Sequence, residues 1–212
     1  MSIQINKDTK LYGSFSSNPS NNGCIFFNEA FQRYNVNAIY KSFYSDDIEK
    51  TIESVKHLQF FGFALSIPLK VSVYDHLDEY DSSVVEIGAC NTVLIKNNKL
   101  HGYNTDWIGV NQYLSDSIND LTILGNGGFS KAVQYVCKIR NIDYRIIKRK
   151  DWDKVSNIQG YVFNATPADV VTKGILIDGR PHTKSGKIIA QLQAKQQFKL
   201  YTGIDYENSN NN

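Results

Sequence analysis

The stretch Leu121-Thr122-Ile123-Leu124-Gly125-Asn126-Gly127-Gly128-Phe129-Ser130 decides the fold. Leu121 to Gly125 is a short apolar run of strand length, and a helix-forming segment follows it to about Arg140. A strand that enters a helix through a glycine turn has the geometry that takes a dinucleotide. The first glycine permits the tight turn, the second lets the backbone approach a pyrophosphate, and the helix N-terminus stabilises the anion. Gly125, Asn126, Gly127, Gly128, Phe129 and Ser130 are therefore cofactor-binding candidates, with Ser130 in place of a third glycine. Taken alone, the stretch could also be an ordinary glycine-rich turn.

The next strand, Tyr144 to Ile147, ends in Lys148-Arg149-Lys150. A site for NAD would put a carboxylate here for the ribose 2′-hydroxyl, whereas cations suit a 2′-phosphate, with arginine as a charge-assisted fork. NADP is therefore the expected cofactor. The alternative is a solvated basic turn, diluted by Asp151 and Asp153. Tyr161–Asn164 and Gly174–Ile177 read as two more strands and Gly186–Tyr201 as a final helix. Upstream, Leu11–Phe15, Asn37–Phe43 and Gly62–Ser66 read as strands. Ile25–Tyr34 and a segment from Ser45-Asp46-Asp47 to Leu58 read as helices, and another helix follows Pro68. Asn91–Ile95 and Lys99–Tyr103 flank Asn97-Asn98, a hairpin turn suited to positive φ. Asn104-Thr105-Asp106 caps the helix after it.

Strands alternating with helices give an α/β fold: an N-terminal α/β domain plus a reduced Rossmann-like nucleotide-binding domain. The polar stretch Ser115–Asp120 marks the expected boundary. The domains are then 1–114 and 115–183, with a helix at 184–206 packing back on the first and a loose polar tail at 207–212.

Composition narrows the function. The 212 residues suffice for two small domains, and 42% hydrophobic against 21% charged residues can bury a core. A formal net charge of +2 leaves no broad cationic field, which argues against a nucleic-acid partner. No apolar run reaches the ~20 residues of a membrane span, and Met1–Asp8 lacks a signal-peptide core. Cys24, Cys90 and Cys137 are odd in number and scattered, and His57, His76, His101 and His182 show no ligand spacing. Neither a disulfide framework nor a metal is expected, and a reducing, cytoplasmic location is.

Polar residues of the first half collect at strand ends, where α/β scaffolds meet ligands. Ser14-Phe15-Ser16, Ser66-Ile67-Pro68-Leu69-Lys70, Ile87 to Val93 and Gly102-Tyr103-Asn104-Thr105-Asp106 are such segments. With the glycine turn, Asn164-Ala165-Thr166 and the run from Ser185-Gly186 through Gln193 and Phe198 to Gly203, they resemble the shikimate dehydrogenase family. The segments occur in the family's order across nearly the whole chain, and the opening Ser-Phe-Ser-Ser-Asn-Pro-Ser is most similar to the shikimate-dehydrogenase-like branch.

The resemblance implies NADP-linked interconversion of shikimate, or a related alicyclic hydroxy acid such as quinate, with its 3-dehydro form. It implies Lys70 and Asp106 as the catalytic pair and Ser14, Ser16, Ser66, Asn91 and Gln193 as substrate ligands. Asn164 and Thr166 would lie near the cofactor. The partner is a small hydroxy acid, and the chain is a monomer or homodimer. The alternative is a weak or inactive shikimate-dehydrogenase-like binding or regulatory protein. Ala64 and Phe27 stand where the family usually has Asn and His. The connection from Lys150 to Tyr161 is shorter than usual, and the family's closing helix after Gly203 is not found.

Overall fold

Residues 5–207 are described by a computed structural model of the chain. The opening of the Met1–Asp8 segment and the tail beyond Glu207 lie outside the described residues. Side chains on β1 (Lys10–Ser16) alternate between two cores. Phe15 enters one with Phe60, Phe63 and Val93. Tyr12 enters the other with Phe27, Phe31 and Tyr40. The chain continues through α1 (Asn22–Arg33), β2 (Ala38–Tyr44), α2 (Ile48–His57), β3 (Gly62–Leu65) and α3 (Leu69–Ser72), the last running into a 3-10 turn at Val73–His76. Then come β4 (Glu79–Tyr80), α4 (Ser82–Ile87), β5 (Thr92–Lys96) and β6 (Lys99–Tyr103). The sheet order is β2-β1-β3-β5-β6-β4. The first three strands are parallel, β5 is antiparallel to β3, and β5–β6 is the expected hairpin. Its turn residues Asn97 and Asn98 take φ of 51° and 62°, the left-handed region that Asn tolerates. The two-residue β4 and short α4 carry no periodicity and are not among the elements expected from sequence.

The remaining elements are α5 (Asp106–Tyr113), β7 (Asp120–Leu124), α6 (Gly128–Ile139), β8 (Asp143–Ile147), a 3-10 segment at Arg149–Asn157, β9 (Tyr161–Asn164), β10 (Ile175–Asp178) and α7 (Lys184–Thr202). β10-β9-β7-β8 form an all-parallel sheet. Leu121 and Ile123 face a core with Val133, Val136 and Phe163. Leu124 faces a smaller one with Val155, Ile158 and Val162, so the 3-10 segment supplies the cover on that side. The fold is thus α/β, with a Rossmann-like sheet of four strands.

The chain divides into two compact units. One holds residues up to Val85, Cys90–Thr105 and the chain from Ala194 onward; the other holds Glu86–Ala89 and Asp106–Gln193. The division falls at Thr105, whereas the sequence reading ends the first domain at 114. Val110 and Leu114 share a core with Leu121 and Val133, which explains where α5 goes. Along α7, Ile189 joins the core of the second unit, and Phe198 and Tyr201 join that of the first.

Candidate functional site

In the first unit, strand register assembles a row that is polar at every position but Ala64. Ser42 pairs with Ser14, Ser14 with Ala64, and Ala64 with Thr92. One step back on the same strands lie Tyr40, Tyr12, Gly62 and Leu94. Tyr12, Tyr40 and Leu94 belong to an apolar core, and burial pushes the Tyr12 phenol up to about 12. Side chains two residues apart share a face, so the sheet changes from apolar to polar as it nears the ends of β1–β3. In a parallel sheet, the carboxyl ends of strands are where ligands bind.

Ser14 Oγ donates to Ser42 Oγ at 3.0 Å, and Cys24 Sγ lies 3.3 Å from that same hydroxyl. Ser16, 8% exposed, closes β1, and its carbonyl accepts Ser45 N–H at 2.9 Å. Ser66 is exposed, with its N–H on Phe15 O at 3.0 Å. Lys70, half-buried on α3, is anchored by its carbonyl, which accepts Cys90 N–H at 2.7 Å. Asn91 follows Cys90, and its own carbonyl accepts Leu65 N–H at 2.8 Å, beside the end of β3. Backbone bonds thus bring Ser16, Ser66, Lys70 and Asn91 to one border of the sheet.

The Asn91 side chain is buried in a hydrogen-bonded chain. Its Oδ1 accepts Thr105 N–H at 2.7 Å and Thr92 Oγ1–H at 2.9 Å, and its Nδ2 donates to Thr105 Oγ1 at 3.0 Å. Gln197 Nε2 donates to Thr92 Oγ1 at 2.8 Å across 105 positions of sequence. Thr92, Thr105 and Gln197 are not among the candidate site residues that the sequence singles out.

In the second unit, Asp106 is 2% exposed in the first turn of α5, where a helix N-terminus favours negative charge. Gln193, on α7, packs its backbone and Cβ against Gly109. The glycine turn closes β7, which has β8 on one side and β9 on the other. The chain leaves β7 for β8 and returns to β9, so the turn lies at a topological switch point, the crevice that takes dinucleotides. Gly125 has φ +97°, and a Cβ there would meet Thr166 Cγ2 at 2.7 Å. A Cβ on Gly127 would meet nothing within 4 Å, so this position faces open space at the start of α6, a helix end of the kind that favours an anion. Ser130 is fully buried, and its hydroxyl donates to Gly125 O at 2.8 Å, which ties the turn to the helix. Phe129 packs edge-on against Phe163.

Gly125 N–H donates to Ile147 O at 2.9 Å, so the exposed Lys148-Arg149-Lys150 begins next to the glycine turn. The Lys154 ammonium pairs with Asp151 at 2.8 Å and holds its carboxyl below the usual range. Asn164 is buried and fully engaged: Oδ1 accepts Thr166 N–H and Oγ1–H at 3.0 and 2.7 Å, and Nδ2 donates to Ala168 O and Asp178 Oδ1 at 2.9 and 3.3 Å. Its amide shapes the loop after β9, and Thr166 is the residue that the loop presents to the turn. Arg180 forks onto Asp178 and reaches Asp169 on the same loop, a tether visible only in the structure. Among the described residues, no three His, Cys, Asp or Glu side chains gather as a metal would need, and no helix is long and apolar enough to cross a membrane.

Comparison with known proteins gives these residues a context. Residues 22–93 match the family model for the shikimate dehydrogenase substrate binding domain. A shikimate dehydrogenase-like protein of Haemophilus influenzae is 36% identical over 148 residues, 68% of this chain and 54% of its own length. A Methanococcus maripaludis protein named shikimate dehydrogenase (NADP(+)) is 30% identical over 207 residues, 87% of this chain and 74% of its own. The chain thus spans about half of the first relative and about three quarters of the second. A crystal structure of shikimate dehydrogenase from Aquifex aeolicus superposes with a TM-score of 0.79 at 23% identity over 96% of each chain, a likeness of fold. With the Methanococcus maripaludis protein 30% identical along most of both sequences, and the substrate-domain model covering β2 and β3, the chain belongs to the shikimate dehydrogenase family.

Proposed function

We propose that this chain is an NADP-linked oxidoreductase that interconverts shikimate, or a close alicyclic hydroxy acid such as quinate, with its 3-dehydro form. The observation that carries the reading is the sheet border where backbone hydrogen bonds to neighbouring strands and loops hold Ser16, Ser66, Lys70 and Asn91. Hydroxyl and amide donors there suit a polyhydroxylated carboxylate, since neutral donors bind a carboxylate by directed bonds. Ser14 and Ser16 hold the carboxylate, and Ser66 and Asn91 hold ring hydroxyls. Gln193 serves a further hydroxyl.

Lys70 and Asp106 act as the proton-handling pair. Oxidation of a carbinol requires loss of the hydroxyl proton as the carbonyl forms. Lys70 exchanges that proton, and Asp106 accepts from a substrate hydroxyl. The nicotinamide, when bound, accepts the hydride. Gly125–Ser130 receives the pyrophosphate, Arg149 with Lys148 and Lys150 receives the 2′-phosphate, and the Asn164–Thr166 loop lies beside the nicotinamide end. The open space over Gly127 and the exposed cations after β8 support that fit.

The test follows NADPH absorbance with shikimate, quinate and close analogues. Turnover of at least one is expected, with Lys70→Ala lowering kcat by about a hundredfold or more and leaving substrate binding largely intact. Wild-type protein that binds these acids without turnover would favour a binding or regulatory role. Undiminished turnover in Lys70→Ala would falsify the proton-transfer assignment.

A further inference from the structure

We infer that Gln197 is a positioning residue: through the Thr92 hydroxyl, its amide fixes the Asn91 side chain as a hydrogen-bond donor toward the substrate. The inference rests on the substrate role proposed for Asn91. Gln197 is 5% exposed, beside the fully buried Phe198 on α7. A buried amide costs stability unless it is hydrogen-bonded. Its Nε2 meets that need by donating to Thr92 Oγ1 at 2.8 Å.

A threonine hydroxyl has a single proton. With a Gln197 N–H aimed at the oxygen, that proton is directed onward, and Asn91 Oδ1 lies 2.9 Å away. Asn91 Oδ1 also accepts Thr105 N–H at 2.7 Å. Two donors converging on one carbonyl oxygen determine which end of the Asn91 amide is oxygen and which is nitrogen. Without the Gln197 N–H, the Thr92 hydroxyl can turn toward Thr105 Oγ1, 3.4 Å away, and Asn91 Oδ1 loses the Thr92 proton, keeping the Thr105 N–H and a longer contact from Thr105 Oγ1 at 3.3 Å. Gln197 therefore acts through Asn91 and does not itself touch the reacting atoms.

The test compares Gln197→Leu with Thr92→Val, which removes the hydroxyl at nearly constant volume, in the full-length chain. Two readouts are taken. One is steady-state kinetics with shikimate and NADP+. The other is the side-chain amide resonances of Asn91 in unliganded, isotope-labelled protein, identified by their absence from Asn91→Ala. Both variants are expected to raise KM for shikimate about tenfold, to change KM for NADP+ by less than about twofold, and to shift the Asn91 amide signals with faster solvent exchange. In an Asn91→Ala background, Gln197→Leu should add no further rise in KM.

Unchanged Asn91 signals in both variants, or an undiminished effect of Gln197→Leu in the Asn91→Ala background, overturn the inference. If Gln197→Leu folds poorly, Thr92→Val interrogates the same chain. If the wild-type protein turns over no shikimate, the proposed function fails. The amide resonances still decide separately whether Gln197 orients Asn91.

Discussion

The Thr105 backbone N–H donates to Asn91 Oδ1 at 2.7 Å, and both residues are buried. A backbone amide cannot reverse its polarity, so this bond, together with the Thr92 hydroxyl on the same oxygen, sets the orientation of the Asn91 side chain. The carbonyl end faces Thr105 and Thr92, and whatever the amide offers beyond Thr105 Oγ1 is an N–H donor. Strand pairing places this group: Asn91 N–H donates to Tyr103 O at 3.1 Å, and its carbonyl holds Leu65.

Asn91→Ala is expected to do two separable things. It leaves a buried Thr105 N–H without its acceptor, at a cost of about 1–3 kcal/mol in unfolding free energy. It also removes the donor proposed for a ring hydroxyl, so KM for the hydroxy acid should rise about tenfold or more. Chemical denaturation measures the first and steady-state kinetics the second. A variant that loses stability but keeps its KM would leave Asn91 a purely structural residue.

The cap of α2 offers a pH-dependent prediction. Asp47 Oδ1 accepts Lys50 N–H at 3.1 Å, and the Lys50 ammonium sits 3.2 Å from Oδ2. The backbone bond from Lys50, followed by its side chain, holds the carboxyl below its ordinary range. A depressed carboxyl contributes stability above its unfolded pKa of about 4. That contribution fades as pH falls through the lower folded value. Asp47→Asn keeps an acceptor for the cap and removes the charge. Wild type should therefore melt above Asp47→Asn at neutral pH, with the gap closing in acid and shrinking with added salt. A gap that stays constant from neutral pH to about pH 3 would refute this.

Much of this architecture was legible from the chain, and the rest was hidden for physical reasons. The glycine turn, the Asn97-Asn98 hairpin and the Asp47 cap are local: each is dictated by the φ or the donors of a few adjacent residues. Strand ends marked Ser16, Ser66 and Asn91 as polar residues where a ligand can reach. What stayed hidden is non-local. The Ser42–Ser14–Ala64–Thr92 row depends on strand register, and Gln197 meets Thr92 from 105 positions away. On α7, Gln193 carries the family's pattern, and nothing in the run Lys195-Gln196-Gln197 separates the buried amide from its neighbours. The one available clue is that Gln197 precedes Tyr201 by one helical turn, on the buried side with Phe198.

The two glycines of the turn should respond differently to alanine. At Gly125, φ +97° and the Thr166 methyl at 2.7 Å oppose any Cβ. Gly125→Ala should cost at least about 1–2 kcal/mol and displace the loop after β9. Gly127 has φ −83° and open space around a Cβ, so Gly127→Ala should fold with a loss below about 1 kcal/mol. Under the proposed cofactor site its methyl would stand where the backbone would approach a pyrophosphate, so NADP+ affinity should fall more than stability does. Melting curves beside a fluorescence titration with NADPH separate the two. If Gly127→Ala binds NADPH as wild type does, the pyrophosphate does not approach at that position.

On the proposed reading, cofactor choice rests with the residues just past the end of β8. Gly125 N–H donates to Ile147 O, which puts Lys148-Arg149-Lys150 immediately beyond the turn that would hold the pyrophosphate. The nearest carboxylate in sequence, Asp151, is engaged by Lys154, which lessens its competition for the cations. A 2′-phosphate would therefore meet positive charge, and the fork geometry of arginine suits it better than a lone ammonium does. Arg149→Ala should lower the kcat/KM preference for NADP+ over NAD+ by about tenfold, mainly by raising KM for NADP+. Activity with NAD+ should stay near its wild-type value, because its ribose carries a hydroxyl in place of the phosphate. The NADP+ deficit should also narrow as ionic strength rises, since an exposed cation loses reach when screened. An unchanged cofactor ratio in Arg149→Ala would remove the electrostatic basis for choosing NADP.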